Sequence, residues 1–264
     1  MLTERITPAP HLRGLRTQPI RLILLHATRG GSASLATEYT GTKSWFRSPN
    51  NMARDSNGNS LGYGGCASKI IGPEGEYCIV LEDEEIPHYS AGYGGLGPPT
   101  EYLVDDYAIS YEFAQPDNNW AFTDAQYERG AIEIAKDCRK HSIPPVMVDL
   151  RSQGYPVPTG ITRHDTTANG VKLGKTDPGK MWNDGKFIVL LKRELGEEIG
   201  MKVIVARPSG RCFAVGLQGK RYIDDTEELG LYETLFGKAV ETTDIAADAI
   251  PDAGTGHSGT WTVI

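Results

Sequence analysis

No stretch of this 264-residue chain approaches the roughly 18 consecutive apolar residues that a membrane-spanning helix needs. The longest candidate, Ile20 to Leu25, is broken by Arg21 and ends at His26, so no membrane insertion is expected. The N-terminal stretch MLTERITPAPHLRGLRTQ has no apolar core of the kind a secretory signal peptide carries. Basic residues are in deficit, 27 Lys and Arg against 34 Asp and Glu, for a net charge of −7. Such a chain has no general electrostatic pull toward nucleic acid or anionic membranes, and a polyanionic partner would need a local pocket. The four cysteines (Cys66, Cys78, Cys138 and Cys212) form no CxxC pair, which argues against a zinc ribbon or a redox dithiol. All four are expected to be reduced and packed. There is no G-X-Y period, no internal repeat and no HExxH signature.

Glycine and proline, by contrast, are abundant, with 31 and 16 copies. They would interrupt long helices too often for a bundle or coiled coil. They cluster in 29–31, 58–75, 92–99 and 170–179, so shaped loops are expected there. With 39% hydrophobic and 23% charged residues, the chain otherwise reads as an ordinary globular protein. Its length allows one large domain, or one domain and a small appendage.

Residues 1–19 read as a polar lead-in. Arg21 to Leu25 reads as a buried strand that delivers His26 at its end, followed by a turn and a helix from about Ser34 to Phe46, with Trp45 and Phe46 on its packing face. Cys66 to Ile71 and Tyr77 to Leu81 flank the turn signal Gly72-Pro-Glu-Gly75. Tyr107 to Phe113 alternates as a strand. Thr123 caps a helix to about His141 with Ile132, Ile134, Ala135 and Cys138 as its apolar stripe. Gly160 to His164 is a short strand, 165–180 a loop, and Asp184 to Leu195 an amphipathic helix. Beyond residue 200, Met201 to Val205 and Cys212 to Leu217 read as a hairpin, Thr226 to Phe236 as a helix, and 241–264 as a tail. The expected division is therefore 1–200 and 201–264.

Two of the six histidines, His26 and His164, each end a short apolar strand before a polar loop. A strand end is a rigid place for a metal ligand, and the loop leaves one side open. Asp177, in Lys175-Thr-Asp-Pro-Gly179, is a third candidate ligand held in a turn. Two imidazoles and a carboxylate are a catalytic rather than a structural zinc set. The spacing alone also fits two hydrogen-bonded polar histidines and a common turn, and both readings stay open. Glu112 shares a face with Ala108, Ser110 and Ala114 at period two. It therefore has room for a substrate beside it, or else simply faces solvent. Lys175 could reach the same site to stabilise an oxyanion. His88, in a glycine-rich loop, is a candidate for lining the cleft.

Taken in order, these segments resemble the type 2 family of zinc-dependent N-acetylmuramoyl-L-alanine amidases, which includes phage endolysins, bacterial amidases and peptidoglycan recognition proteins. LILLHATRGG (Leu22 to Gly31) is similar to the strand carrying the family's first zinc-binding histidine. TKSWFRSPN (Thr42 to Asn50) resembles the helix end before the second strand in phage endolysins. KIIGPEGEYCIVLEDEEIPHYSAGY (Lys69 to Tyr93) resembles the strand, turn, strand and loop that follow. AISYEFAQ (Ala108 to Gln115) resembles the glutamate-bearing strand, and FTDAQYE (Phe122 to Glu128) the start of the long helix. ITRHDTT and KTDPGKMW resemble the second histidine and third-ligand motifs. The resemblance spans residues 21–195.

Residues beyond 200, read as a hairpin and a helix, would form a small C-terminal α+β appendage that is either wall-targeting or structural, whereas the resemblance itself implies an α/β fold, a central mixed β-sheet flanked by helices. It implies one Zn2+ per chain on His26, His164 and Asp177. Glu112 would be the general base toward water and then the acid to the leaving amine, and Lys175 would hold the oxyanion. His88, Thr166 (in the longer loop 166–174) and Ala67 would contact substrate. Many relatives carry Tyr or His near Cys66-Ala-Ser68; the Ala67 and Ser68 found here give Glu112 more weight. The expected partner is peptidoglycan, cut between N-acetylmuramic acid and L-Ala, with a monomer as the expected state. The expected setting is a phage endolysin held in the host cytoplasm until a holin opens the membrane. The alternatives are a non-hydrolytic peptidoglycan-binding module, disfavoured by the presence of Asp177, and a bacterial cytosolic muropeptide-recycling amidase.

Overall fold

The computed structural model describes residues 3–52, 59, 64–88, 90–91, 104–151 and 157–197, and the backbone of 202–207, 212–216, 219–223 and 240–243. The chain divides into two compact units, Met1–Leu191 and Lys192–Ile264.

Among its described residues the first unit has eight strands, β1 (Thr3–Arg5), β2 (Arg13–Leu15), β3 (Leu22–Ala27), β4 (Lys69–Ile71), β5 (Tyr77–Ile79), β6 (Glu85–Pro87), β7 (Ala108–Phe113) and β8 (Gly160–Arg163). Its described α-helices are α1 (Leu35–Arg47), α2 (Val104–Tyr107), α3 (Asp124–His141) and α4 (Ala168–Lys172), and α5 (Asp184–Leu195) begins in it. Six strands form one sheet in the order β1-β5-β4-β7-β3-β8. β3 lies parallel to both β7 and β8, β4 is parallel to β7, and β5 runs antiparallel to β4. The sheet is therefore mixed, with helices against it, as expected. All six residues of β3 are buried, as a central strand covered on both faces requires.

Local signals set the helix ends. Ser34 and Thr37 form a reciprocal capping box at the start of α1, and Thr123 and Gln126 do the same for α3. α3 stops at Ser142, which turns into the left-handed region with φ 56°. α5 spans the residues that its apolar pattern indicates.

The two sheet faces differ in chemistry. On one, Phe113 joins Phe122, Tyr127, Trp182 and Phe187 in an aromatic cluster. Gly130 of α3 lets this cluster close, because a Cβ there would stand 2.7 Å from the Phe113 ring. The same face buries an ion pair, Lys69 Nζ 2.6 Å from Asp137 Oδ2, and the Tyr111 hydroxyl donates to the same oxygen at 2.6 Å. On the other face Leu22, Leu24 and Ala108 pack with Val104, Leu150 and Val157, while Ile70 packs with Tyr39 and Phe46 of α1.

Several expectations change. The lead-in is structured: β1 pairs parallel with β5, and β2 pairs antiparallel with β6. Strands of three residues have too little local pattern to be read, and their pairing is decided by distant partners. Trp45 is 49% exposed, and Tyr39 takes its place beside Phe46 in the core. Ile132 points outward at 36% exposure, while Ala131 and Tyr127 complete the buried stripe of α3. The expected loop 165–180 contains α4.

In the second unit β9 (Lys202–Arg207) and β10 (Cys212–Gly216) form the expected hairpin. β11 (Gly219–Ile223) adds antiparallel to β10, and β12 (Val240–Thr243) adds parallel to β9. The start of the expected tail is thus a strand. The helix expected over Thr226 to Phe236 lies outside the described residues. Among the described residues no helix is long and apolar enough to cross a membrane.

Breaking the Lys69–Asp137 pair leaves a buried carboxylate with one hydroxyl partner, a change that costs about 3–5 kcal/mol. Lys69→Met is expected to lower the melting temperature well beyond a surface Lys→Met control such as Lys172→Met. An unchanged melt in differential scanning calorimetry would show the pair to be energetically idle.

Candidate metal centre

Parallel register brings the site together. His26 of β3 stands opposite Glu112 of β7. Leu25 pairs with Arg163 of β8, so His164, the next residue, follows at the same end of the sheet. Leu22, Leu24 and His26 share a strand face at period two, as do Ala108, Ser110 and Glu112 on the neighbouring strand.

The third candidate ligand, the Asp177 carboxylate, arrives from a loop. Asp165 N–H donates to Asp177 O at 3.0 Å, tying the loop back to the residue after His164. Gly179, with φ +89°, makes the turn beyond it. As a result Nδ1 of His26 and Nδ1 of His164 both face Asp177 Oδ2, at 3.1 and 3.0 Å. All three residues are buried, and their ligand atoms lie within 4.8 Å of one another.

Burial, followed by the neighbouring His164, lowers the His26 pKa to about 4, so its imidazole is neutral at pH 7. Burial alone would raise the Asp177 carboxyl, but hydrogen bonds from His164 and His26 outweigh it and hold the group well below the usual carboxylate range. Neutral imidazole and ionised carboxylate are the protonation states in which these side chains ligate a cation. This donor set is one that holds a divalent transition metal while leaving a coordination position open.

Glu112 is half-buried, and its Oε2 is shut off from solvent with no hydrogen-bond partner. Burial raises its pKa well above the ordinary value, and the charges of Asp177 and Glu38 push the same way, against Lys175 and Arg29. A cavity of about 520 Å³ is lined by His26, Glu112, His164, Lys175, Asp177 and Trp45, among others. A second, of about 410 Å³, shares Thr28, Trp45, Phe46 and Glu112 with it and runs along α1.

Five of the residues singled out from the sequence therefore meet here: His26, His164, Asp177, Glu112 and Lys175. Three do not appear among the described lining residues. His88 is exposed, its ring held by the His11 carbonyl at 2.9 Å through Nδ1. Thr166 turns its hydroxyl back onto Arg163 O at 2.9 Å, closing the turn after β8. Ala67 is fully buried in the core beside α1.

The structure also adds residues that pattern reading missed. Glu38, 1% exposed, accepts from Thr28 Oγ1 at 2.5 Å, Gly30 N at 2.6 Å and Ser32 N at 3.2 Å, and so folds the loop after His26. Arg29, at φ 51°, donates to Thr176 Oγ1 at 2.5 Å and Thr176 O at 3.0 Å, clamping the Lys175–Asp177 loop to the β3 end. The Thr-Arg-Gly-Gly run signalled a turn, but the partner lies 147 positions away.

A family profile described as N-acetylmuramoyl-L-alanine amidase, Amidase_2, matches residues 16–180. A search of curated proteins returned no match. Among solved structures, a selenomethionine derivative of AmpD is similar with a TM-score of 0.50 and 19% identity, over 72% of this chain and 94% of that one. The AmiA hydrolase of Staphylococcus aureus, solved with its ligand, gives a TM-score of 0.47 and 11% identity over 74% and 83% of the two chains. The amidase LysC of Clostridium intestinale URNW gives 0.39 and 12% over 75% and 99%. The likeness to AmpD is one of fold, a mixed central sheet flanked by helices. The profile covers more than half of the chain and spans five of the six strands of the sheet, all but β1, and every residue of the centre, and the chain belongs to the N-acetylmuramoyl-L-alanine amidase family, Amidase_2.

Proposed function

We propose that the protein is a zinc-dependent N-acetylmuramoyl-L-alanine amidase, with catalysis in the first unit and with peptidoglycan as its substrate. One observation carries the reading: a buried His26–His164–Asp177 cluster shares its strand ends with Glu112, whose Oε2 is buried and without a partner, in a chain of this family.

His26, His164 and Asp177 would hold the zinc. A zinc ion so held supplies Lewis acidity, bringing the pKa of a water down to about 7 and polarising the scissile carbonyl. Glu112 takes the proton of the attacking water at its carboxylate and returns one to the leaving L-Ala amine. Its raised affinity for protons suits that exchange, and the lack of a competing hydrogen bond leaves Oε2 available to it. Lys175, exposed on the cleft rim, places an ammonium where negative charge develops on the carbonyl oxygen. Arg29 keeps the Lys175 loop in place through Thr176. The groove along α1, with the exposed indole of Trp45 in its wall, offers an apolar plate for a sugar ring beside the bond that is cut. A groove that runs on past the centre suits a polymer, and this supports a lytic, endolysin-type role in which the enzyme cuts intact wall.

Glu112→Gln is expected to lower turnover by about 10²–10⁴-fold, the usual worth of a general base, while zinc content by atomic absorption stays at one per chain. Near-normal turnover would remove Glu112 from the mechanism. Stripping the metal with a chelator should abolish activity, and zinc alone should restore it. Asp177→Ala is expected to lose both zinc and turnover. Digested sacculi should gain free L-Ala amino termini without new reducing sugars. Release of reducing ends would mean a glycosidase, no release at all a binding module, and release from soluble muropeptides only a recycling enzyme.

A further inference from the structure

The His26 ring is contacted at both nitrogens. Nδ1 faces Asp177 Oδ2, and at the opposite end Nε2 lies 2.9 Å from Ser90 Oγ. Ser90 is placed by a buried carboxylate: its own N–H donates to Asp105 Oδ2 at 3.0 Å, and the next amide, Ala91 N–H, donates to Asp105 Oδ1 at 2.9 Å. Asp105 is 1% exposed. The bend is also held from outside, by Asn169 Nδ2 donating to Ala91 O at 2.9 Å.

Asp105 in turn sits in α2, and Arg16 pins that segment. Its guanidinium donates to the carbonyls of Asp105 at 3.1 Å, Asp106 at 2.5 Å and Ala108 at 2.9 Å. A connected series of short polar contacts thus runs from Arg16 through Asp105 and Ser90 to the His26 ring.

A hydroxyl at this position has a property that no apolar side chain shares. It donates to Nε2 when the imidazole proton is on Nδ1, and it accepts from Nε2–H when Nδ1 is given to a cation. With an alanine there, the cation-binding tautomer would carry a buried N–H with no partner, and an unmade hydrogen bond of that kind opposes the tautomer directly. The bidentate use of Asp105 on two successive amides leaves Ser90 little freedom to move away.

We propose that Ser90, set in place by Asp105, is a positioning residue that holds the His26 ring and supplies the acceptor for Nε2–H in the tautomer whose Nδ1 ligates the metal. This rests on the zinc reading above. Partners at the far nitrogen of a ligating histidine typically change metal affinity by about 10–100-fold.

The test is zinc affinity, read by competition with a chromophoric chelator, which needs no substrate. Ser90→Ala is expected to bind zinc at least about tenfold more weakly than the parent, with far-UV circular dichroism and the melt of the metal-free protein unchanged. Ser90→Thr, which keeps the hydroxyl, should stay near the parent. Asp105→Asn, which offers one acceptor oxygen to two amides, should weaken zinc in the same direction and serves if Ser90→Ala fails to fold. The visible spectrum of the cobalt-substituted protein should shift in Ser90→Ala and not in Ser90→Thr. Parent-like zinc affinity in folded Ser90→Ala overturns the positioning role and leaves the zinc reading intact. A parent chain that binds no zinc overturns both.

Discussion

The parallel, in-register pairing of β3 with β7 and β8 is the constraint on which the centre depends. It sets His26 level with Glu112 and brings His164 out at the same sheet end. Because side chains alternate along a strand, a slip of one residue would turn His26 or Glu112 to the aromatic face. The register is held by hydrophobic burial: Leu22, Leu24 and Ala108 enter one core, while Phe113 enters the aromatic cluster on the other side. The forces that fold the sheet and those that assemble the site are therefore the same.

The two faces treat buried charge differently. On the aromatic face Lys69, Asp137 and Tyr111 satisfy one another, and such a network steadies a core. On the cleft face Glu112 Oε2 has no partner, and like charges stand near it. An unsatisfied buried carboxylate oxygen costs stability, and the proposed amidase mechanism uses the reactivity that this cost leaves in place.

Around the centre, loops are shaped by side chains that grip backbone. Glu38 gathers the turn after His26, Arg29 holds Thr176, and Asp105 holds Ser90 and Ala91. Glycine at 179 supplies a left-handed bend next to these grips. The cleft rim is thus a set of fixed turns around three buried donors, which gives the abundance of glycine a local meaning.

The sequence by itself determined what depends on short-range chemistry. The helix start near Ser34, the cap at Thr123, the period-two face of Glu112, the strand-end positions of His26 and His164, and the Asp-Pro-Gly turn are all local patterns, and the structure has them where they were read. The family resemblance added their order, and with it the mixed sheet and its flanking helices. Only the tertiary structure decided which distant groups meet. It paired β1 with β5 and β2 with β6, sent Trp45 outward, and set His88, Thr166 and Ala67 to tasks away from the described cleft lining. It also brought Ser90 to His26 and Arg29 to Thr176. Strand pairing and side-chain grips across many positions are fixed by burial and register, which no short window of residues contains.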